Sequence, residues 1–171
     1  MTGKPDMKDP DTPLGAVWKY LGAHWEEGVD CPACEQNVQV KWQNINPAMA
    51  ISMIKLYKFW LQDPDRWVHI PTEIGRISAE EAKLVHWGLL EERPGRRADS
   101  GRAGFWRITP LGVAWVHDGL RVPRYVLTYN GKDVGGGPRP NSRTGRVVRW
   151  DSIQDALGNK FNLRLLLEGE A

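Results

Sequence analysis

A chain of 171 residues, 41% apolar and with nine Trp, is long enough to bury a core as one domain, or as a small domain with an appendage. Two cysteines exclude a disulfide scaffold, and no stretch approaches the ~18 apolar residues of a membrane span. The net charge of +2 conceals a segregation: residues 1–92 hold nine Lys and Arg against 14 Asp and Glu, residues 93–150 hold 12 against three, and residues 151–171 hold two against four.

In the middle block every cation except Lys132 is arginine, the side chain that forks onto phosphate oxygens. One end of the molecule should therefore attract polyanions. The opening "MTGKPDMKDPDTP" is polar, without an apolar signal core, and predicts a disordered tail over 1–13 on a cytoplasmic protein. Structure begins at Leu14, where Leu14, Val17, Trp18, Leu21 and Trp25 recur at helical spacing.

Next comes "CPACEQNVQVKWQ", a Cys-Pro-x-Cys turn running into a strand on which Val38, Val40 and Trp42 alternate with polar residues. The turn has the form of one zinc-ribbon knuckle, which aims two thiolates at one point. A tetrahedral site needs four ligands; only His24 lies nearby, and Glu35 stands where such knuckles usually carry Gly. The other reading is a tight turn with two small thiols packed inside. No metal site is expected.

Asn46 caps and Pro47 opens a helix over 47–62 that presents Met49, Met53, Leu56 and Trp60 to a core, with Ile54, Tyr57 and Leu61 widening the stripe. A short strand follows at Trp67 to Ile70, then one helical turn "PTEIG" broken by Gly75. A second helix covers Ala79 to Trp87, with Ser78 and Glu81 as a capping box and Gly88 as its left-handed stop. Ala82, Val85 and Leu89 are expected to face inward, and Glu80, Lys83, His86 and Trp87 outward. Strands over Leu89 to Arg93 and Gly104 to Ile108 pair around a loop, Pro94 to Ala103, that carries Arg96, Arg97 and Arg102.

Thr109 caps a helix with Pro110 at its first position. "RYVLTYNGKDVGGG" predicts a hairpin turning at Asn130-Gly131, and "GGGPRPNSRTGR" a basic loop. Asp151 is expected to cap a last helix, followed by Phe161, Leu163, Leu165, Leu166 and Leu167, which need cover.

Two short helices and a two-stranded ribbon form a helix-turn-helix with a wing, so the expected class is an α+β winged helix-turn-helix domain. Its divisions fall at 1–13, 14–46, 47–120 and 121–171. "GLLEERPG" and "GFWRITPLGVAWV" resemble the recognition-helix end, wing and following helix of winged-helix regulators of the multiple-antibiotic-resistance and phenolic-acid types, over about 47–120. The whole chain also resembles phage and prophage proteins that join such a knuckle to such a domain.

The resemblance implies a regulatory DNA-binding protein whose contacts to double-stranded DNA come from Lys83 and His86 on the recognition helix and from Arg93, Arg96, Arg97, Arg102 and Arg107 on the wing. The alternative is a non-catalytic protein interaction module, because Glu80 and Glu81 place negative charge where a recognition helix approaches phosphates. Catalysis is not expected: the four His lie far apart, and neither a phosphate-binding Gly-rich loop with Lys-Ser/Thr nor a Gly-x-Ser-x-Gly elbow is present. No cofactor follows from these residues.

Overall fold

The computed structural model describes residues 3–6, 11–75, 80–95, 104–130, 132–133 and 150–169. Ser78, Ala79, Arg96, Arg97 and Arg102, and the basic loop after Asp133, lie outside the described residues, as do parts of the N-terminal segment.

In chain order the elements are α1 (Leu14–His24), β1 (Val29–Asp30), β2 (Asn37–Val38), β3 (Lys41–Asn44), α2 (Pro47–Gln62) and β4 (Val68–His69). A π-helical turn (Ile70–Ile74) and a 3-10 helix (Glu81–Trp87) lead to β5 (Leu90–Glu92), β6 (Phe105–Ile108) and α3 (Pro110–His117). Then come β7 (Val122–Pro123), β8 (Tyr125–Tyr129), β9 (Lys132–Asp133), β10 (Trp150–Asp151), α4 (Ile153–Leu157), a 3-10 turn (Gly158–Lys160) and α5 (Leu163–Glu168). The protein is mixed α+β with small antiparallel sheets. The chain parts into two compact units, residues 1–43 with 127–135, and residues 44–126 with 136–171.

The first unit contains α1, the β1–β2 ladder and the sheet β3-β8-β9. α1 starts at the expected residue, but its apolar stripe is not a core face: Val17 is buried, whereas Leu14 and Trp18 are 69% and 73% exposed. The expected strand through Val38, Val40 and Trp42 is split in two. Val38 pairs with Val29, the Val40 N–H donates to Trp25 O at 2.9 Å, and the chain then joins the β3-β8-β9 sheet. Thr128 pairs with Asp133 and Tyr129 with Lys132, and Asn130 takes a left-handed φ of 50; Gly131, the other residue of the expected turn, lies outside the described residues.

The second unit is built on α2. Asn46 Oδ1 accepts the Met49 N–H at 2.9 Å, and Pro47 opens the helix, so both start signals operate. Met49, Met53, Leu56, Ile54 and Tyr57 are buried and Trp60 packs against the same core; Leu61 instead is 59% exposed. α3, α4, α5 and β6 all lie on α2. Thr109 Oγ1 accepts the Gly112 N–H at 3.0 Å as the α3 cap. Gly112 sits where α3 meets the sheet, and a Cβ there would lie 2.3 Å from Leu89 O and 2.7 Å from Ile108 Cγ1.

At the C-terminal end, Asp151 is a buried β10 residue rather than the helix cap. Ser152 takes that role through a capping box with Asp155. The carbonyl of Asp151 accepts the Trp115 indole N–H at 3.2 Å, which explains why that residue stays in the strand and the next one starts the helix. Of the last apolar run, Leu163, Leu166 and Leu167 pack on the core, while Phe161 and Leu165 remain exposed.

Candidate nucleic-acid interface

The three-stranded sheet β4-β6-β5 positions the candidate site. β5 and β6 pair through Leu90↔Ile108, Glu91↔Arg107 and Glu92↔Trp106, so residues 93–104 connect the two strands of one hairpin. Gly88, at φ 69, supplies the left-handed residue that turns the chain from the 3-10 helix into β5.

The expected α-helix over Ala79 to Trp87 is a 3-10 helix over 81–87, with three residues per turn rather than 3.6. That period places Glu81, Leu84 and Trp87 on one buried face. Trp87, expected outside, donates its indole N–H to Pro123 O at 2.6 Å. Glu81 accepts the Ser52 hydroxyl at 3.4 Å inside the core, so its carboxylate is not presented on an outer surface. Ala82 and Val85 are half-buried and Leu89 is fully buried, all against the same core.

The same three-residue period brings Glu80, Lys83 and His86 together on the other face, each half-buried. Lys83 Nζ donates to Glu80 Oε1, and Asn46 Nδ2 donates to Glu80 Oε2 at 3.0 Å. The lysine charge is thereby balanced by a carboxylate that is itself tied to the α2 cap.

On the hairpin the two described arginines differ. Arg93 is exposed, with its backbone N–H bonded to Phe105 O at 3.0 Å and its guanidinium 5.6 Å from the Phe105 ring centroid. Arg107 is engaged within the fold: it pairs with Glu91 at 2.6 Å and Asp65 at 3.4 Å and lies 4.6 Å over the Trp67 ring. Its charge is largely compensated before any ligand arrives. Arg96, Arg97 and Arg102 lie outside the described residues.

No family model, curated protein or solved structure matches the chain. Function therefore rests on the residues themselves. Among the described residues no helix is long and apolar enough to cross a membrane, and no three His, Cys, Asp or Glu side chains come together as a metal site.

Two arrangements went unread in the sequence. Glu73 Oε1 accepts the His69 N–H at 2.8 Å and Oε2 pairs with Arg66, which itself lies 4.5 Å over Phe59. The His69 N–H, and after it Arg66, hold the Glu73 carboxyl below its usual range, against the opposing effect of burial. The i, i+4 spacing of His69 and Glu73 was the available signal, hidden because the bond runs to backbone.

The second arrangement is at the cysteines. Cys31 is buried and Cys34 exposed. The Cys31 N–H donates to Gln36 O and the Glu35 N–H to Cys31 O, both at 2.8 Å, and Glu35 takes a left-handed φ of 59. Hydrogen bonds from the backbone N–H groups of Ala33 and Cys34, and from the Cys34 thiol, lower the Cys31 pKa although burial acts in the other direction. The conformation that Gly usually supplies in a knuckle is thus taken by Glu35.

Proposed function

We propose that the chain binds double-stranded DNA as a winged helix-turn-helix protein with a regulatory, non-catalytic role. The observation that carries this reading is the β5–β6 pair, which directly follows two short helical segments and whose strands are joined in sequence by the segment holding Arg96, Arg97 and Arg102. That order of elements is the one a helix-turn-helix with wing requires. Arg93 adds an exposed cation at the hairpin base, and residues 93–150 carry 12 basic residues against three acidic ones. In this reading the wing follows phosphates, and Lys83 and His86 approach a groove.

One observation favours a second reading, a protein interaction surface on the same scaffold. The Glu80 carboxylate that balances Lys83 leaves the outward face of the 3-10 helix close to neutral, which suits a protein better than a polyanion.

Titration of the full chain with random-sequence duplex DNA at two salt concentrations separates them. Phosphate contacts release counterions, so DNA affinity should fall steeply between about 50 and 200 mM salt. Absence of binding at the lower salt would overturn the DNA reading and leave the protein surface.

A further inference from the structure

We infer that Cys31 and Cys34 form half of a zinc-type site, completed by the same pair from a second copy of this chain. The backbone around the pair is built as a metal knuckle is built. The Ala33 and Cys34 N–H groups point at the Cys31 sulfur, and the reciprocal bonds among Cys31, Glu35 and Gln36 close the turn at the end of the β1–β2 ladder. N–H groups directed at sulfur stabilise a thiolate, the form that ligates a soft divalent ion.

Glu35, at φ 59, closes the hairpin loop in the left-handed conformation at the place where such knuckles usually carry Gly, at a cost on the order of 1 kcal/mol. Moreover Cys34 is exposed, so it does not serve as core packing.

The described residues of one chain do not finish the site. The chain holds two cysteines in all, and among the described residues no third His, Cys, Asp or Glu gathers with them. Within the same unit His24, the nearest in sequence, directs Nδ1 to Tyr20 O at 2.7 Å and does not join the pair. Four thiolates at tetrahedral geometry require two knuckles face to face, and Cys34 stands at the surface where a second knuckle can reach it.

The same unit also offers surface for a second copy to cover: Leu14, Trp18 and Trp25 of the α1 stripe are exposed. A two-fold arrangement would bring like surfaces together around the ion. Each thiol loses its proton on binding, the ion gains four sulfur bonds, and no oxidant is involved.

The test uses the full chain, reduced with a phosphine and supplied with zinc. Elemental analysis should find one zinc per two chains, light scattering should give the dimer mass, and a chelator should reverse both. Cobalt in place of zinc should give the sulfur-to-metal charge-transfer absorption and the visible bands of a tetrahedral thiolate site. Cys34→Ser, a change at an exposed residue, should abolish metal and dimer together while the circular dichroism spectrum is retained; Cys31→Ser serves as the buried counterpart. The inference is overturned by a reduced protein that takes up no zinc, by one zinc per monomeric chain, by a dimer that persists in Cys34→Ser, or by a Cys31–Cys34 disulfide forming in place of metal uptake.

Discussion

At Glu73 a single carboxylate joins β4 to the turn that follows it. Because the His69 N–H and Arg66 favour its ionised form, the native pKa is below the ordinary glutamate value of about 4.3. The unfolded chain thus binds the proton more readily than the folded one. The contribution is full above that ordinary value and disappears as the pH falls through the lowered native one. Glu73→Gln should therefore cost about 1 kcal/mol at pH 7, a figure held down by the partial exposure of the pair, and the difference from the parent should shrink in acid. Urea melts at pH 7 and pH 3 check this; an equal gap at both would rule out the charged bond. Residue roles were only partly legible. Asn46, Thr109 and Gly88 were read correctly because a cap or a left-handed stop is a local requirement, satisfied within three residues. The partners of Arg107, Glu91 and Asp65, were not legible, because they meet it only through strand pairing and folding, 16 and 42 residues away.

Among the elements, α2, α3 and the β8–β9 hairpin were legible for the same local reason: cap, Pro and turn pair are adjacent in sequence. The 3-10 helix was not, because Leu84, Val85 and Trp87 fit either helical period, and the burial of Glu81 beside Ser52 on the same face as Leu84 and Trp87 is visible only in the fold. α1 misleads differently: an apolar stripe states that cover is needed, not where the cover comes from. The packing of α3 yields a firm expectation. Gly112→Ala drives a Cβ into Leu89 O, a backbone atom that cannot swing away, so the melting temperature should drop by the equivalent of about 1–3 kcal/mol. Gly15→Ala, within α1 and with open space around the new methyl, should be neutral or stabilising by up to about 1 kcal/mol. Equal melting for both variants would mean α3 does not approach the sheet so closely. For the 3-10 helix, Lys83→Ala combined with His86→Ala should weaken DNA binding while changing stability by less than about 1 kcal/mol, since both side chains are half-exposed and the Glu80 pair is a surface one. Unaltered DNA affinity would shift the balance to the protein-surface reading.

For the whole molecule the segregation of charge decides more than any one contact. A net charge of +2 would scarcely draw DNA, yet residues 93–150 hold 12 basic residues against three acidic ones, an excess that acidic residues from the rest of the chain offset at individual arginines. Arg107 is balanced by Glu91 and Asp65, and Arg121 and Arg124 lie near Asp155 and Asp151, at 3.0 and 3.7 Å. In the DNA-binding reading, phosphate contact would thus fall on Arg93 and on Arg96, Arg97 and Arg102. Replacing Arg96, Arg97 and Arg102 together with Ala should lower affinity by a similar factor for all duplex sequences. It should also flatten the log-affinity against log-salt slope by roughly 0.9 for each phosphate contact removed. Sequence-independent loss is the signature of backbone contact, because base readout would cost some sites more than others. Arg107→Ala makes the instructive comparison: it removes two ion pairs and a cation–π contact from the sheet, so it should depress the melting temperature and leave the salt slope nearly unchanged. If instead the triple variant keeps the parent slope while Arg107→Ala flattens it, the positive surface that meets DNA lies on the sheet rather than at the hairpin tip, and the wing assignment fails.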